Sequence, residues 1–229
     1  MIENYIKQGD CLDLISEIPS DSVDLLLTDC PYKLISGGCT GMHGILSGKE
    51  NSDVKTGGLF KHNDIKFSDW LPECYRVLKD GSHAYIMVNA RNIKELQTEA
   101  EKCGFKFVNL LVWEKNNVTA NRYYMQKCEF ILLLRKGKAR TINNPGTANI
   151  FHIKNIKGSK LHPAQKPIEL LRVFIENSTS CGGTVFDPFM GSGSTCIACM
   201  KTGRKYIGFE LDERYFEIAK ERISRGGEE

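Results

Sequence analysis

The chain has 229 residues, 41% of them apolar and 26% charged, a balance ordinary for one well-buried globular domain and short for two. No apolar run nears the roughly 20 residues of a membrane span. The opening Met1–Tyr5 has neither the basic start nor the apolar stretch of a signal peptide, so a cytoplasmic protein is expected. Nine cysteines, an odd number without framework spacing, read as reduced thiols. The single Cys-x-x-Cys, Cys196 and Cys199, has no second pair at zinc spacing and reads as small buried side chains, with no metal expected.

In chain order, apolar runs alternate with amphipathic stretches. A strand is expected at Val23–Thr28, a helix around Trp70–Leu78 and a strand at Ala84–Val88. A helix near Ile93–Lys102 and strands at Phe107–Trp113 and Cys128–Leu134 follow. Then come a helix opening at Pro167, a strand at Thr184–Phe186, a helix from Ser194, a strand at Tyr206–Phe209 and a closing helix from Glu213. Strands separated by helices predict an α/β fold with a mostly parallel sheet covered on both faces. Two stretches break the rhythm: a Gly-rich loop at about 33–69 and a polar, basic segment at about 136–160. Loops of such length inside a domain are functional or mobile.

Charge is uneven. Between Lys115 and Lys166 stand eleven Lys or Arg and one acid, Glu129, so this window carries +10 and the rest of the chain −7. A basic block beside an acidic remainder fits a polyanionic partner.

Two local patterns carry chemistry. Val185–Thr195 reads as a strand running into a Gly-x-Gly turn and a helix, and Glu210 ends the next strand about 20 residues beyond Gly191, where doubly wound folds hold ribose hydroxyls. Cys196 stands where a third Rossmann glycine would be, and no phosphate loop is present, which favours a cofactor without phosphate such as S-adenosylmethionine. Earlier, the apolar run Leu25–Leu27 ends in Asp29-Cys30-Pro31-Tyr32. At a strand's carboxyl end, Asp29 is placed to accept a hydrogen bond from an exocyclic amine, and Tyr32 offers a ring on which an unstacked base lies.

In these motifs and their order, the chain resembles the beta-class amino-methyltransferases of DNA, marked by an Asp-Pro-Pro-Tyr signature preceding an Asp-Pro-Phe-x-Gly-Ser-Gly-Thr-Thr loop. Here the loop is Asp187–Thr195, with Ser194 as the one departure, and a third family element, His-Pro-x-Gln-Lys-Pro, stands at His162–Pro167. The resemblance implies a Rossmann-like, seven-stranded methyltransferase sheet with one antiparallel strand and circularly permuted motif order, over a single domain spanning 1–229. It implies S-adenosylmethionine as cofactor, held by Asp187, Phe189, Gly191, Ser192, Gly193 and Glu210, with Lys166 and Pro167 at the methionine end. Asp10 is matched to the family's adenine-contacting acid; read alone, it equally caps the helix after it. Asp29, Cys30, Pro31 and Tyr32 are the implied catalytic set, with Cys30 in place of the family's first Pro. Its backbone carbonyl still serves as second acceptor for the amine, while ring rigidity is lost.

The implied reaction is site-specific methylation of a flipped base in DNA, of the restriction-modification kind. The initial Asp leans towards adenine N6 and leaves cytosine N4 as the alternative. Lys115, Arg122, Arg135, Lys136, Lys138 and Arg140 are the expected DNA contacts, mostly to phosphates. A homodimer is the expected form. RNA stays compatible with these residues, since its single strands also present unstacked bases. A nucleotide-dependent oxidoreductase has no use for Asp-Cys-Pro-Tyr, and a methylase of protein glutamine begins its tetrapeptide with Asn. A DNA-binding subunit that keeps the cofactor fold without catalysis is the non-enzymatic alternative.

Overall fold

The structure, a computed structural model, describes residues 3–31, 65–120, 123–156 and 165–227. Tyr32, Arg122, His162 and most of the Gly-rich segment therefore lie outside the described residues. The elements run β1 (Tyr5–Gln8), α1 (Cys11–Leu14), a 3-10 turn (Ile15–Glu17), β2 (Val23–Asp29), α2 (Phe67–Val77), β3 (Leu78–Val88) and α3 (Ile93–Lys102). They continue with β4 (Lys106–Thr119), β5 (Gln126–Arg135), β6 (Ile150–Phe151), α4 (Ile168–Ser178), β7 (Thr184–Asp187), α5 (Ser194–Lys201), β8 (Lys205–Glu210) and α6 (Glu213–Ser224).

All eight strands form one sheet in the order β1-β8-β7-β2-β3-β5-β4-β6. One strand, β5, is antiparallel to both its neighbours, and the other pairings are parallel. The expected seven strands and one reversal are thus present, with a correction: a two-residue strand, Ile150–Phe151, pairs with β4 at Val112–Trp113. The sequence at 150–151 is too short to show a period. β3 also starts six residues before the expected Ala84, because Leu78 already pairs with Val23. Within it, Gly81 takes a φ of +77° and donates its N–H to the Lys136 carbonyl at 2.9 Å.

Side-chain alternation explains the layering. Leu26, Ala84, Ile86, Leu132 and Leu134 face α1, α2 and α3 through Cys11, Trp70, Leu71, Cys74, Leu96 and Ala100. Leu25, Leu27, Tyr85, Met87, Ile131 and Leu133 face α4, α5 and α6 through Leu170, Phe174, Ile175, Cys199 and Ala219. Neighbouring strand residues go to opposite faces because the period is two, which is why these central strands read as continuous apolar runs. Cys196 and Cys199 are fully buried in this second layer, as free thiols. Among the described residues no cluster of metal-ligating side chains occurs, and no helix is long and apolar enough to cross a membrane.

Candidate active site

The sheet's connections turn back between β2 and β7: from β2 the chain moves outward to β3, and from β7 it moves the other way to β8. In open α/β sheets the crevice at the carboxyl ends of the strands flanking such a switch is the ligand site. Both chemical motifs are here. Asp29 is the last residue of β2, and Asp187 is the last of β7.

The loop after β7 is held from several sides. Gly191 (φ +53°) and Gly193 (φ +78°) take left-handed backbone that other residues adopt at a cost, and Gly193 caps α5. The Gly191 N–H donates to Oε2 of Glu210 at 2.9 Å, and the Asp212 N–H donates to Oε1 at 2.8 Å. Burial pushes the Glu210 carboxyl up, against the pull of these backbone donors. Gly9 donates its N–H to the Glu210 carbonyl at 2.9 Å, which brings the β1 end alongside. Asp10 follows, and its side chain accepts from the Leu12 N–H at 2.9 Å, so it does cap α1. Phe189 packs its ring against Trp70, with centroids 5.2 Å apart.

Asp187, expected on the cofactor, is committed inward. Its oxygens accept from Thr28 Oγ1 (2.7 Å), Thr195 Oγ1 (2.6 Å) and the Phe189 N–H (3.1 Å). Burial pushes its carboxyl up to about 6, against the pull of those three donors. It ties β2, β7 and α5 together under the loop. One residue of this loop support went unread in the sequence: Arg222 of α6 is buried and donates through Nη1 to the Ser192 carbonyl at 2.6 Å and Ser192 Oγ at 3.2 Å. Its helical neighbours Glu221 and Ser224 are polar, so Arg222 looks like one more surface charge in the pattern.

Across the switch point, Asp29 shares its parity with Leu25 and Leu27 and so faces the α4 side. Lys166, just before Pro167 caps α4, meets it there with Nζ 2.5 Å from Oδ2. The same ammonium lies 3.3 Å from Oε2 of Glu129, whose Oε1 is 3.0 Å from the Lys115 ammonium. Burial pushes the Asp29 carboxyl above the usual carboxylate range; Lys166 opposes this and the Glu129 charge adds to it. At Glu129 burial acts in the same sense, but the two ammonium groups outweigh it and hold the carboxyl low. Lys166, placed by resemblance at the methionine end of the cofactor, contacts Asp29, and Lys115, expected on DNA phosphates, pairs with Glu129. Pro31 is half-buried. Cys30 is buried with Sγ 3.6 Å from the Met87 carbonyl, and burial pushes its thiol up, away from the reactive thiolate.

The expected phosphate contacts at 135–140 lie elsewhere. Because β5 runs backwards, its start sits at the edge that carries Asp29, where Phe130 pairs with Val88, and its end pairs Arg135 with His83 near the start of β3. Arg135 is therefore about 17 Å from Phe130 along the strand, at the opposite edge of the sheet. Lys136 donates there to Asp21 Oδ1 (2.8 Å) and to the carbonyls of Tyr75 (2.8 Å) and Leu78 (2.7 Å), a structural clamp. Arg135 donates to the Gly137 carbonyl, the Lys138 N–H to Asp80, and the Arg140 carbonyl meets His83 Nε2 at 3.0 Å. Reversal of one strand is invisible in its own sequence, and it moves this cluster away from Asp29.

Comparison with known proteins agrees with this geometry. The DNA methylase family that acts at amino N6 or N4 matches residues 23–221. The type II methyltransferase M2.LlaDCHI of Lactococcus lactis subsp. cremoris is 30% identical, with 98% of this chain and 91% of that one covered. M2.MboI of Moraxella bovis is 29% identical over 95% and 86%. Among solved structures, the complex of M1.HpyAVI with SAM is 26% identical, with a TM-score of 0.71 and 97% and 100% covered. The cytosine-N4-specific PvuII DNA methyltransferase, 18% identical, shares the fold with a TM-score of 0.74 over 97% and 87%. With Asp29 and the glycine loop on either side of one switch point, the chain belongs to the N6/N4 DNA methylase family.

Proposed function

We propose that the chain transfers the methyl group of S-adenosylmethionine to the exocyclic amine of a base extruded from DNA, adenine N6 ahead of cytosine N4. The observation that carries this is Asp29 standing at the end of β2, beside the loop that Gly191, Gly193 and Glu210 build after β7. The Glu210 oxygens accept from the Gly191 and Asp212 N–H groups, and the carboxylate has acceptor capacity left for a ribose hydroxyl. S-adenosylmethionine supplies an electrophilic methyl group when bound. Oδ1 of Asp29 and the Cys30 carbonyl would accept the two amine hydrogens and draw the nitrogen towards tetrahedral geometry. Its lone pair, freed from the ring, would then accept the methyl group as the cofactor's sulfur–methyl bond breaks, and the amine's surplus proton would leave to solvent, with positioning and electrostatics lowering the barrier. No covalent enzyme intermediate is needed, in keeping with a protonated Cys30 thiol. Tyr32 is proposed as the stacking face for the extruded base. The initial Asp of the tetrapeptide supports adenine, and a homodimer is the proposed form. By analogy with the type II relatives, the product is a modified recognition site.

Nucleosides from mixed-sequence DNA, incubated with the protein and S-adenosylmethionine, should contain N6-methyladenine by mass spectrometry. Asp29→Ala should abolish it. N4-methylcytosine would keep the reaction and overturn the base; no methylated base from the wild-type protein would overturn the reading.

A further inference from the structure

Beyond Val88 the sheet loses β3, yet β4 and β5 continue past it as a paired ribbon, with residues 152–155 bonded along β4 at Glu114, Asn116 and Asn117. Glu114 pairs with Cys128 and Thr119 with Gln126, four residues beyond the last β3 partner, Phe130. At about 3.3 Å per residue this carries the ribbon roughly 13 Å past the catalytic edge. Its tip is apolar and open to solvent: Tyr124 is 85% exposed, Tyr123 81%, Met125 58% and Val118 52%. These are the four most exposed large apolar side chains among the described residues. Aromatic rings this exposed cost solubility, and grouped at the end of a projecting ribbon they mark a binding surface.

Two observations choose the partner. The ribbon's base is part of the catalytic edge: Glu129 at its root contacts Lys166, which contacts Asp29. Between Glu114 and Glu129, which pair with Lys127 and Lys115, the sequence holds no carboxylate to repel a polyanion. Glu114 also meets His152 Nδ1 at 2.7 Å.

We infer that the β4–β5 ribbon engages duplex DNA next to the extruded base, and that Tyr124 and Met125 at its tip pack against the bases left exposed when the target leaves the stack. This rests on the proposed function and replaces the 135–140 cluster as the main contact. Extrusion costs a few kcal/mol of lost stacking, and an aromatic or apolar side chain taking up the vacated contact offsets part of it. The reading accounts for a pair of exposed tyrosines at the one place, among the described residues, where the sheet reaches beyond its own catalytic edge.

The test compares wild-type protein with Tyr124→Ala and Met125→Ala, and with Tyr124→Trp as the conservative control. Binding to labelled mixed-sequence duplex DNA is followed by anisotropy at low salt, binding to S-adenosylmethionine by calorimetry, and methylation by mass spectrometry. Tyr124→Ala should weaken duplex binding and kcat/KM for DNA about tenfold or more, the size of one lost base–aromatic stack. Cofactor affinity and melting temperature should stay put, and Tyr124→Trp should recover most of the loss. Duplex affinity within twofold of wild type for both alanine variants would overturn the inference while leaving the methylase reading intact. So would a loss of self-association at unchanged duplex affinity, which would make the tip a contact between copies. Wild-type protein that binds no duplex would overturn both.

Discussion

The Lys166 ammonium lies 2.5 Å from Oδ2 of Asp29. One oxygen of the proposed catalytic acid is thereby occupied, and the other is left to meet the amine. The contact also sets the charge state. Burial favours the neutral carboxyl and the Lys166 charge favours the ionised one, the form that offers Oδ1 as an acceptor without a competing proton.

The pH profile follows from that balance. Asp29 lies above the usual carboxylate range, so kcat should fall as pH drops through its raised pKa. Lys166→Met removes the stabilising charge and should move the acid limb upward. At pH values below the new limb, kcat should be lower by roughly tenfold for each pH unit that the limb has moved. Glu129→Gln removes a like charge and should move the limb the other way. Steady-state kinetics between about pH 5 and 9 reads both. A common drop in kcat at all pH values, with the limb fixed, would show that Lys166 acts on the fold alone.

Gly193→Ala tests the loop. A Cβ at this φ of +78° is strained and would stand 3.1 Å from the Ala219 Cβ and 3.5 Å from Ile223 Cδ1. The left-handed backbone alone costs about 1 kcal/mol or more for a non-glycine residue. α6 and the start of α5 must then separate, and affinity for S-adenosylmethionine should fall about tenfold with a lower melting temperature. Unchanged affinity in calorimetry would mean the loop does not line the cofactor site.

How much of this was legible follows from the kind of signal each part leaves. The strands at Val23, Thr184 and Lys205 are buried on both faces and read as apolar runs, and α3 matches its expected Ile93–Lys102 bounds through an apolar stripe on Leu96 and Ala100. The switch point was legible as well, because its motifs are local: a strand, a glycine turn and an acid at fixed spacing. What escaped is non-local. The reversal of β5 carries Arg135–Arg140 to the edge away from Asp29, and a partner 137 residues away decides what Lys166 does. The exposed Tyr123 and Tyr124 offered a signal, two adjacent aromatics among amides, that composition averages away.

Arg222 was invisible for the same reason and supports a prediction. A buried guanidinium reaching from α6 satisfies the Ser192 carbonyl, which the tight turn leaves without a helical partner. Arg222→Met keeps the volume and strands that carbonyl, a buried loss of about 1–3 kcal/mol. Weaker binding of S-adenosylmethionine with unchanged duplex affinity is expected, because the contact touches the loop and lies away from the ribbon. Equal losses of both affinities would point to general unfolding instead.

Asp187 gives the last prediction, in stability. Its carboxyl is raised from an ordinary 3.8 to about 6, so between about pH 4 and 6 the folded protein keeps a proton that the unfolded chain has released. Stability therefore falls as pH rises through that window and stays lower above it. A rise of that size corresponds to about 3 kcal/mol, an upper figure since the group's hydrogen bonds relax with it. In Asp187→Asn this contribution vanishes, while its altered hydrogen bonds to Thr28 and Thr195 add an offset that does not change with pH. Denaturant unfolding of both proteins at about pH 4 and about pH 7.5 isolates the effect, because every other titrating group is common to the two. The wild-type protein should lose more stability than the variant over that interval. Parallel losses would show that Asp187 titrates as in the unfolded chain, and that the three donors around it, more than burial, govern its charge.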